Sequence, residues 1–490
     1  MSKSSLKSKN WLIWITILLT IAILAGIFLY HYFLRRPHAQ LIETVPPSAE
    51  FIIQVNDNDL LVKNITPILS PLNELLHLQA LQGIEFFIEQ FPKSQTGYIL
   101  SGHSSNETTK LLMSCKIEER NFTHLLKRLK IDARNYTSYG GSKIYTYGTH
   151  YKKFYFTCHN KIFSVAEDIE TLKSCINILK NSSNLLSNKN FTEIYAIVNK
   201  NPNQNWLILN HESYFSSFDK LLSSKYHALL TDIKETTLWS AYQMHIHNFE
   251  IMLSGYALLR DGAPNKIMSQ NAPRSVLHKY LPGHTNSYIA MHIQPLDLLK
   301  TKVSDKHIPQ GYFELIQNIQ PVENYYFTIR EDTSIFTYTA FKCDTTQMNL
   351  AAITSDSIAS TTHRNFIIRA TNIGENPSFW NFNHTQPLNF YTQYHDIIIF
   401  SDSIAPLKRY INAINNNTIE TNPYYRYTQN SMPTNNSYEL FVSFAEKEEW
   451  YPYFAPEAHT GALIKNLKIF SVSNSDIHNN LLSTNIFIKF

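Results

Sequence analysis

Two pairs of segments in the chain repeat the same order of structural signals at nearly the same spacing. Val45–Val55 and Leu281–Met291 each begin with a proline-marked loop and continue into a short apolar run, and their first prolines lie 236 residues apart. Tyr155–Ser164 and Tyr391–Ser401 form the second pair, with 237 residues between their last serines. Because two separate pairs share this offset, we infer an internal duplication. The alternative is that two unrelated segments of strands and helices share such patterns by chance.

The duplication predicts the domain organisation of the chain. Weaker matches further along have an offset of about 230 residues, which deletions in loops would produce. We therefore predict a first α+β repeat over residues 40–262 and a second α+β repeat over residues 274–490. Asp261–Asn265, which contains glycine and proline, is the predicted linker between them.

Within each half, the spacing of apolar residues changes between strand-like and helix-like. Alternating runs rich in Tyr, Ile, Phe and Thr predict β-strands at Tyr151–Thr157, Trp239–His247 and Ser334–Cys343. Helical spacing predicts α-helices at Phe122–Leu129 and Ala166–Leu179. The predicted fold class is α+β. It has one N-terminal transmembrane helix followed by two similar lobes of antiparallel sheet, with helices packed on one face.

An uncharged segment near the N-terminus predicts a membrane anchor. Trp11–Leu34 contains 24 residues without Asp, Glu, Lys or Arg. A helix of this length reaches about 36 Å, which is enough to cross a hydrocarbon layer of about 30 Å. A cleaved signal peptide is the alternative, but its apolar region is normally about 7–15 residues long. We predict a cytoplasmic tail over residues 1–10 and a transmembrane anchor over residues 11–34.

Charges on either side of this segment predict its orientation. Lys3, Lys7 and Lys9 precede it, and Arg35 and Arg36 follow it. The positive-inside rule therefore favours a cytoplasmic N-terminus, with the chain from about residue 40 onward outside the cytoplasm. This predicts a single-pass signal anchor that carries one large extracytoplasmic part.

The order of these features resembles an uncharacterised family of membrane-anchored envelope proteins from Bacteroides-type bacteria, a domain of unknown function. The resemblance rests on the anchor, on the opening VPPSAEFIIQVND at residues 45–57, and on the repeated plan of strand, helix and hairpin. It implies a bacterial protein of the inner, cytoplasmic membrane with its C-terminal domain in the periplasm. It brings no catalytic residues to this chain.

Composition excludes several classes of function. The chain has 43 Lys and Arg against 39 Asp and Glu, and these charges are spread along its length. Nucleic-acid binding calls for clustered cations, so we predict no nucleic-acid partner. The sequence contains no CxxC spacing, which argues against zinc ribbons and thioredoxin-like sites. Cys115, Cys158, Cys175 and Cys343 allow three complete disulfide pairings, and free buried thiols are the alternative that a chain of this size favours.

Two short motifs have a chemical interpretation. Ser217 and Lys220 match the SxxK spacing of serine enzymes in which lysine assists deprotonation of serine, although a solvated helix face explains the same pattern. His245 and His247 share one side of a predicted strand and could bind a metal together with His211 or Glu212. Exposed strand positions explain this pair more simply. We therefore predict no metal, no cofactor and no assignable catalytic residue.

Two dense aromatic clusters indicate a binding role. Tyr424–Tyr427 and Trp450–Phe454 could stack on sugars or form a protein interface, and core packing is the alternative. Duplication without a concentrated polar motif predicts a membrane-tethered extracytoplasmic binding or scaffold protein of the cell envelope. Its predicted partners are the membrane, through residues 11–34, and an envelope protein or a glycan. The alternative prediction is an envelope enzyme that acts on glycan or peptide.

Overall fold

The structure is a computed structural model, and it describes most of the chain beyond residue 39. The described residues are 40–56, 81–91, 97–105, 108–148, 153–181, 184–213, 236–247, 249–261, 272–292, 310–331, 334–346, 348–355, 360–373, 375–376, 386–429, 432–433, 435–444 and 466–490.

Antiparallel strands make up most of the described secondary structure. The strands are β1 Ala49–Val55, β2 Tyr98–Ser105, β3 Thr108–Lys116, β4 Thr137–Tyr139, β5 Ser142–Gly148, β6 Lys153–His159, β7 Ile162–Ala166, β8 Trp206–Asn210, β9 Thr237–His247, β10 Glu250–Leu259, β11 Thr285–His292, β12 Pro321–Glu331, β13 Ser334–Cys343, β14 Thr361–His363, β15 Phe366–Ala370, β16 Glu375–Asn376, β17 Gln386–Pro387, β18 Phe390–Tyr394, β19 Ile397–Ser401, β20 Tyr438–Ser443, β21 Ile469–His478 and β22 Leu481–Lys489.

Helices lie between these strands. The α-helices are α1 Leu81–Glu89, α2 Glu119–Arg128, α3 Ile169–Asn181, α4 Lys189–Lys200, α5 Gln310–Ile319, α6 Ile404–Ile414 and α7 Pro423–Gln429. Short 3-10 helices occur at Leu41–Thr44, Leu185–Ser187, Leu277–Lys279, Leu350–Ile353 and Ile419–Thr421.

Twenty of the strands form one continuous sheet among the described residues. From edge to edge the order is β4-β5-β6-β7-β3-β2-β1-β8-β9-β10-β22-β21-β20-β11-β12-β13-β19-β18-β15-β14. β16 and β17 form a separate two-stranded ribbon. The two outermost strands of the large sheet, β4 and β14, are three residues each, and short edge strands limit unwanted pairing with other chains.

The strand order is the same on both sides of the central pair β10–β22. Moving outward, β9 corresponds to β21, β8 to β20 and β1 to β11, and the correspondence continues to β4 and β14. Ser254 faces Asn485 in the central pair, and the pairs Glu250–Lys489 and Leu258–Leu481 lie four residues to either side. An antiparallel pair of corresponding strands has a local twofold axis, as the interface of a symmetric dimer has. The domain boundaries at 40–262 and 274–490 stay a prediction.

The predicted α+β arrangement of two similar lobes of antiparallel sheet, with helices packed on one face, is wrong. The two halves share one sheet, because the backbone groups of β10 pair with those of β22. Helices also cover both faces of that sheet. In β1, Phe51 and Ile53 pack in a cluster with α1 and α2, whereas Ile52, between them, packs with α4 on the opposite side. We call the side of Phe51 face 1 and the side of Ile52 face 2.

Several strands are buried on both faces, which explains why helices are needed on both. All five residues of β7 and all five of β19 are buried. In the second half, α6 covers Ile397 and Ile399 on face 2, while α5 packs with Ile398 on face 1. A strand that is apolar on both sides gives a continuous apolar run in the sequence, with no alternation to show which face is covered.

The predicted membrane anchor also needs correction. Among the described residues, no helix is long and apolar enough to cross a membrane. The longest described α-helix, α3, has 13 residues, whereas a membrane-spanning helix needs about 20. This finding contradicts the predicted single-pass, transmembrane signal anchor. The tail at residues 1–10 and the segment at residues 11–34, on which that prediction rested, lie outside the described residues.

Candidate binding groove at the centre of the sheet

A strip of polar side chains lies on face 2 along the central strands. Ser254 and Tyr256 in β10 are opposite Asn485 and Ser483 in β22, respectively. They lie on face 2 because side chains alternate along a strand, and Leu258, two residues beyond Tyr256, packs in the face 2 cluster around α4. Tyr256 is 38% exposed, and the other three are partly buried. We call these four residues the groove floor.

Helices from the two halves flank this floor. On the first-half side, α4 packs through Phe191 and Val198 in a cluster that contains Trp239 of β9. On the second-half side, Tyr425 of α7 belongs to the cluster that contains Phe487 of β22. The floor lies between these two clusters. The resulting groove therefore follows the line along which the two halves pair.

An aromatic residue and an ion pair close one end of the groove. Tyr427 of α7 is 41% exposed, and its hydroxyl donates to the Glu250 carboxylate. Lys489 donates to the same carboxylate at 2.9 Å, and its Nζ lies 3.6 Å from the centre of the Tyr427 ring. Desolvation opposes the charge on Glu250, but the hydrogen bonds from Tyr427 and Lys489 lower the pKa of this carboxyl. The positive charge of Lys489 is thus neutralised locally.

One apolar position separates the groove floor from the ion pair. Glu250 and Tyr256 are six residues apart in β10, which corresponds to about 20 Å of extended strand. Between them on face 2, Met252 packs against the second-half cluster and is opposite Phe487, which is 2% exposed.

Along the side of the groove, Gln243 of β9 pairs with Ser254 and bonds Gln204, and His245 is exposed. The floor and this side consist mainly of neutral groups that can both donate and accept hydrogen bonds.

A second polar cluster is buried under the segment that leads into β11. Arg274 donates through Nε and Nη2 to both oxygens of Glu439, at 3.2 and 3.0 Å, and Asn436 and Tyr288 also donate to this carboxylate. Glu439 is only 3% exposed. Burial opposes the charge on Arg274, but the bonds to Glu439 raise the pKa of its guanidinium. Burial and the neighbouring Glu439 carboxylate raise the pKa of Tyr288.

Glu323 occupies a comparable position nearby. Ser275 donates to its carboxylate at 2.6 Å, Tyr325 donates to the same oxygen, and Lys342 lies 3.4 Å from the other oxygen. His292 Nε2 is 3.9 Å from Glu323, which is too long for a hydrogen bond. Burial lowers the pKa of His292, although Glu323 and the Pro273 carbonyl oppose this effect. The imidazole is therefore neutral, and the two side chains do not form an ion pair.

These buried carboxylates fit a structural role better than a catalytic one. Glu323 and Glu439 are 4% and 3% exposed, and each oxygen is within reach of a donor. The segment with Arg274 and Ser275 covers both of them. A general acid or base needs access to its substrate, whereas these groups attach the covering segment to the sheet.

The structure separates the residues of the predicted histidine site. His245 and His247 are exposed on β9. His211 is buried and bonds Ser240, which lies on the other face, and Glu212 pairs with Arg260. Among the described residues, no group of three or more His, Cys, Asp or Glu is placed to hold a metal ion.

The structure describes one of the two aromatic clusters that the sequence indicated as binding sites, and it does not describe the other cluster or the SxxK motif. In the Tyr424–Tyr427 cluster, Tyr425 is buried in the core of the second half, and Tyr427 is exposed at the groove. Trp450–Phe454 and the pair Ser217 and Lys220 lie outside the described residues. No sequence pattern predicted the groove floor. Its signal in the sequence is weak, since polar residues interrupt the apolar runs of β10 and β22 without a regular alternation.

All four cysteines are free thiols. Cys115, Cys175 and Cys343 are buried, and Cys158 is partly buried. Burial raises the pKa of the Cys158 thiol to about 11 and that of Cys175 to about 12. Thiols with such pKa values are weak nucleophiles at neutral pH, so these cysteines serve as packing residues.

Comparisons with known proteins give little further guidance. No family model and no curated protein match this sequence. A solved structure of crystal form I of TP0453 is similar with a TM-score of 0.27 and 9% identity, covering 46% of this chain and 81% of that chain. Crystal form IV of TP0453 gives a TM-score of 0.23 and 7% identity over 45% of this chain and 80% of that chain. Such scores establish neither a shared fold nor a function.

Proposed function

We propose that this chain is a binding protein that holds one extended polymer in the face 2 groove without chemically changing it. The supporting observation is the partly open polar floor on face 2, between the helix-covered cores of the two halves. The buried carboxylates Glu323 and Glu439, which would be the natural candidates for catalysis, are engaged and covered. The alternative of an envelope enzyme has no comparable cluster on the open part of the described surface.

The central test measures binding to defined polymers by isothermal titration calorimetry. The probes are two neutral hexasaccharides, cellohexaose and chitohexaose, and a reduced and alkylated unfolded polypeptide. We expect at least one probe to bind, and the Tyr256→Ala variant to weaken its binding about tenfold, since loss of a central aromatic contact costs more than about 1 kcal/mol. The bound polymer should be recovered unchanged after prolonged incubation.

The control for this test is Tyr136→Ala. Tyr136 is 41% exposed, like the groove tyrosine, but it lies next to the outer strand β4. This variant should bind as the unaltered protein does. Absence of binding to every probe, or equal losses in the two variants, would contradict the proposal, and so would cleavage of the polymer.

The cell envelope, outside the cytoplasm, is the proposed place of action. Support comes from the resemblance of the opening at residues 45–57 to envelope proteins of Bacteroides-type bacteria. Fractionation of a bacterium that expresses the tagged chain should recover it with extracytoplasmic markers. Recovery together with a cytoplasmic enzyme would refute this placement and would leave the groove proposal intact.

A further inference from the structure

We infer that the polymer held in the groove is a neutral glycan chain, an assignment that rests on the proposed binding function. The first reason is the state of the backbone along the groove. β10 pairs with β9 on one side and with β22 on the other, and β22 pairs with β10 and β21. Extended peptides are commonly bound by adding a strand to a free sheet edge. No backbone edge is free along this floor, so recognition depends on side chains.

The floor also does not match the other common modes of peptide binding. An amphipathic helix needs an apolar groove, and a proline-rich segment needs a groove lined by aromatic residues. Here Ser254, Ser483 and Asn485 supply polar groups around a single aromatic residue, Tyr256. A peptide lying across this floor would find neither a free strand edge nor an apolar groove to hold it.

A glycan has the complementary chemistry. Its hydroxyl groups both donate and accept hydrogen bonds, as do the serine hydroxyls and the amides of Asn485 and Gln243. The Tyr256 side chain is 38% exposed and provides a rigid, amphipathic surface for the apolar side of a sugar ring. Hydrogen-bonding groups arranged around one exposed ring suit an uncharged, hydroxyl-rich chain.

The charges at the groove favour a neutral glycan over an acidic one. Lys489 is held by Glu250 at 2.9 Å, and Tyr427 contacts both residues. An acidic sugar would have to compete with Glu250 for this ammonium group, or lie beside the carboxylate itself. Like charges brought together in a partly desolvated site are unfavourable. The groove therefore discriminates against uronic-acid polymers.

The experiment compares four ligands by titration calorimetry. Cellohexaose and chitohexaose represent neutral glycans, hexagalacturonate represents an acidic glycan, and the reduced and alkylated polypeptide represents extended peptide. We expect a neutral hexasaccharide to bind at least about tenfold more tightly than the other two classes. Tyr256→Ala should remove about tenfold of that affinity, and Tyr256→Phe, which keeps the ring, should lose clearly less.

Two further variants test the same glycan assignment, so that the conclusion does not depend on whether any single variant folds. Asn485→Ala should weaken binding of the neutral glycan several-fold, and Ser254→Trp should block the groove. A thermal melt of each variant shows whether it is folded.

If only the unfolded polypeptide binds in a Tyr256-dependent manner, the glycan assignment fails and the proposed binding function stands. If hexagalacturonate binds most tightly, the preference for neutral chains is wrong. If no ligand binds, both the glycan assignment and the proposed function fail.

Discussion

Replacing Arg274 with alanine should lower the free energy of unfolding by about 3–5 kcal/mol, the usual cost of breaking a buried ion pair by removing one partner. Glu439 is 3% exposed and receives two of its hydrogen bonds from Arg274. Without the guanidinium, this buried carboxylate keeps Tyr288 and Asn436 as its donors among the described residues. Urea denaturation followed by fluorescence measures the change.

The exposed pair Arg260 and Glu212 provides the matched control. Arg260 Nη2 lies 2.7 Å from Glu212 Oε1, which is at least as close as the contact between Arg274 and Glu439. The Arg260 and Glu212 side chains, however, are 35% and 57% exposed. Surface pairs contribute about 0–1 kcal/mol, so Glu212→Ala should have a small effect. The double variant Arg274→Met, Glu439→Leu should recover part of the lost stability, because it removes both buried charges. Equal effects of Arg274→Ala and Glu212→Ala would show that burial of the pair is unimportant.

Acid should destabilise the protein well before its carboxylates are protonated. His103 and His211 are 4% and 7% exposed, and burial lowers the pKa of each imidazole from 6.5 to about 4. The unfolded chain therefore binds protons that the folded chain excludes. The stabilising contribution is complete above about pH 6.5 and is lost as the pH falls toward 4. At pH 5, each histidine should cost about 2 kcal/mol, and the two together about 4 kcal/mol.

Urea denaturation at pH 7 and pH 5 tests this linkage. His103 bonds Ser101 at 2.8 Å and His211 bonds Ser240 at 2.9 Å, and a glutamine amide can replace either bond. His103→Gln and His211→Gln should each reduce the difference between the two pH values by about 2 kcal/mol. The exposed His245→Gln is the control and should not change it. A protein equally stable at both pH values would refute the assignment of neutral buried histidines.

Local sequence patterns located several elements accurately. The predicted strand Ser334–Cys343 coincides with β13, and Trp239–His247 differs from β9 by two residues at its start. The predicted helices Phe122–Leu129 and Ala166–Leu179 overlap α2 and α3. The helices have a clear period because one face packs on a core and the other is more exposed, and the strands are rich in β-branched and aromatic residues.

The groove was less accessible to sequence reasoning. Ser254 and Asn485 are ordinary polar residues in strands 231 positions apart, and they become neighbours only because β10 pairs with β22. The partners Arg274 and Glu439 are likewise 165 residues apart. No local pattern records such long-range proximity. Pairing between strands is made by backbone groups that nearly every residue carries, so no local pattern shows which two strand edges meet.

By itself, the amino-acid sequence determined the individual strands and helices and their repeated order, since these follow from the spacing of apolar residues along the chain. The tertiary structure alone decided that the two halves share one sheet and that helices cover both faces. It also decided that a polar groove runs along the join. These features depend on which strand edges meet. Backbone hydrogen bonds leave no period in the sequence, and the period of apolar residues shows that a face is buried without showing which distant element covers it.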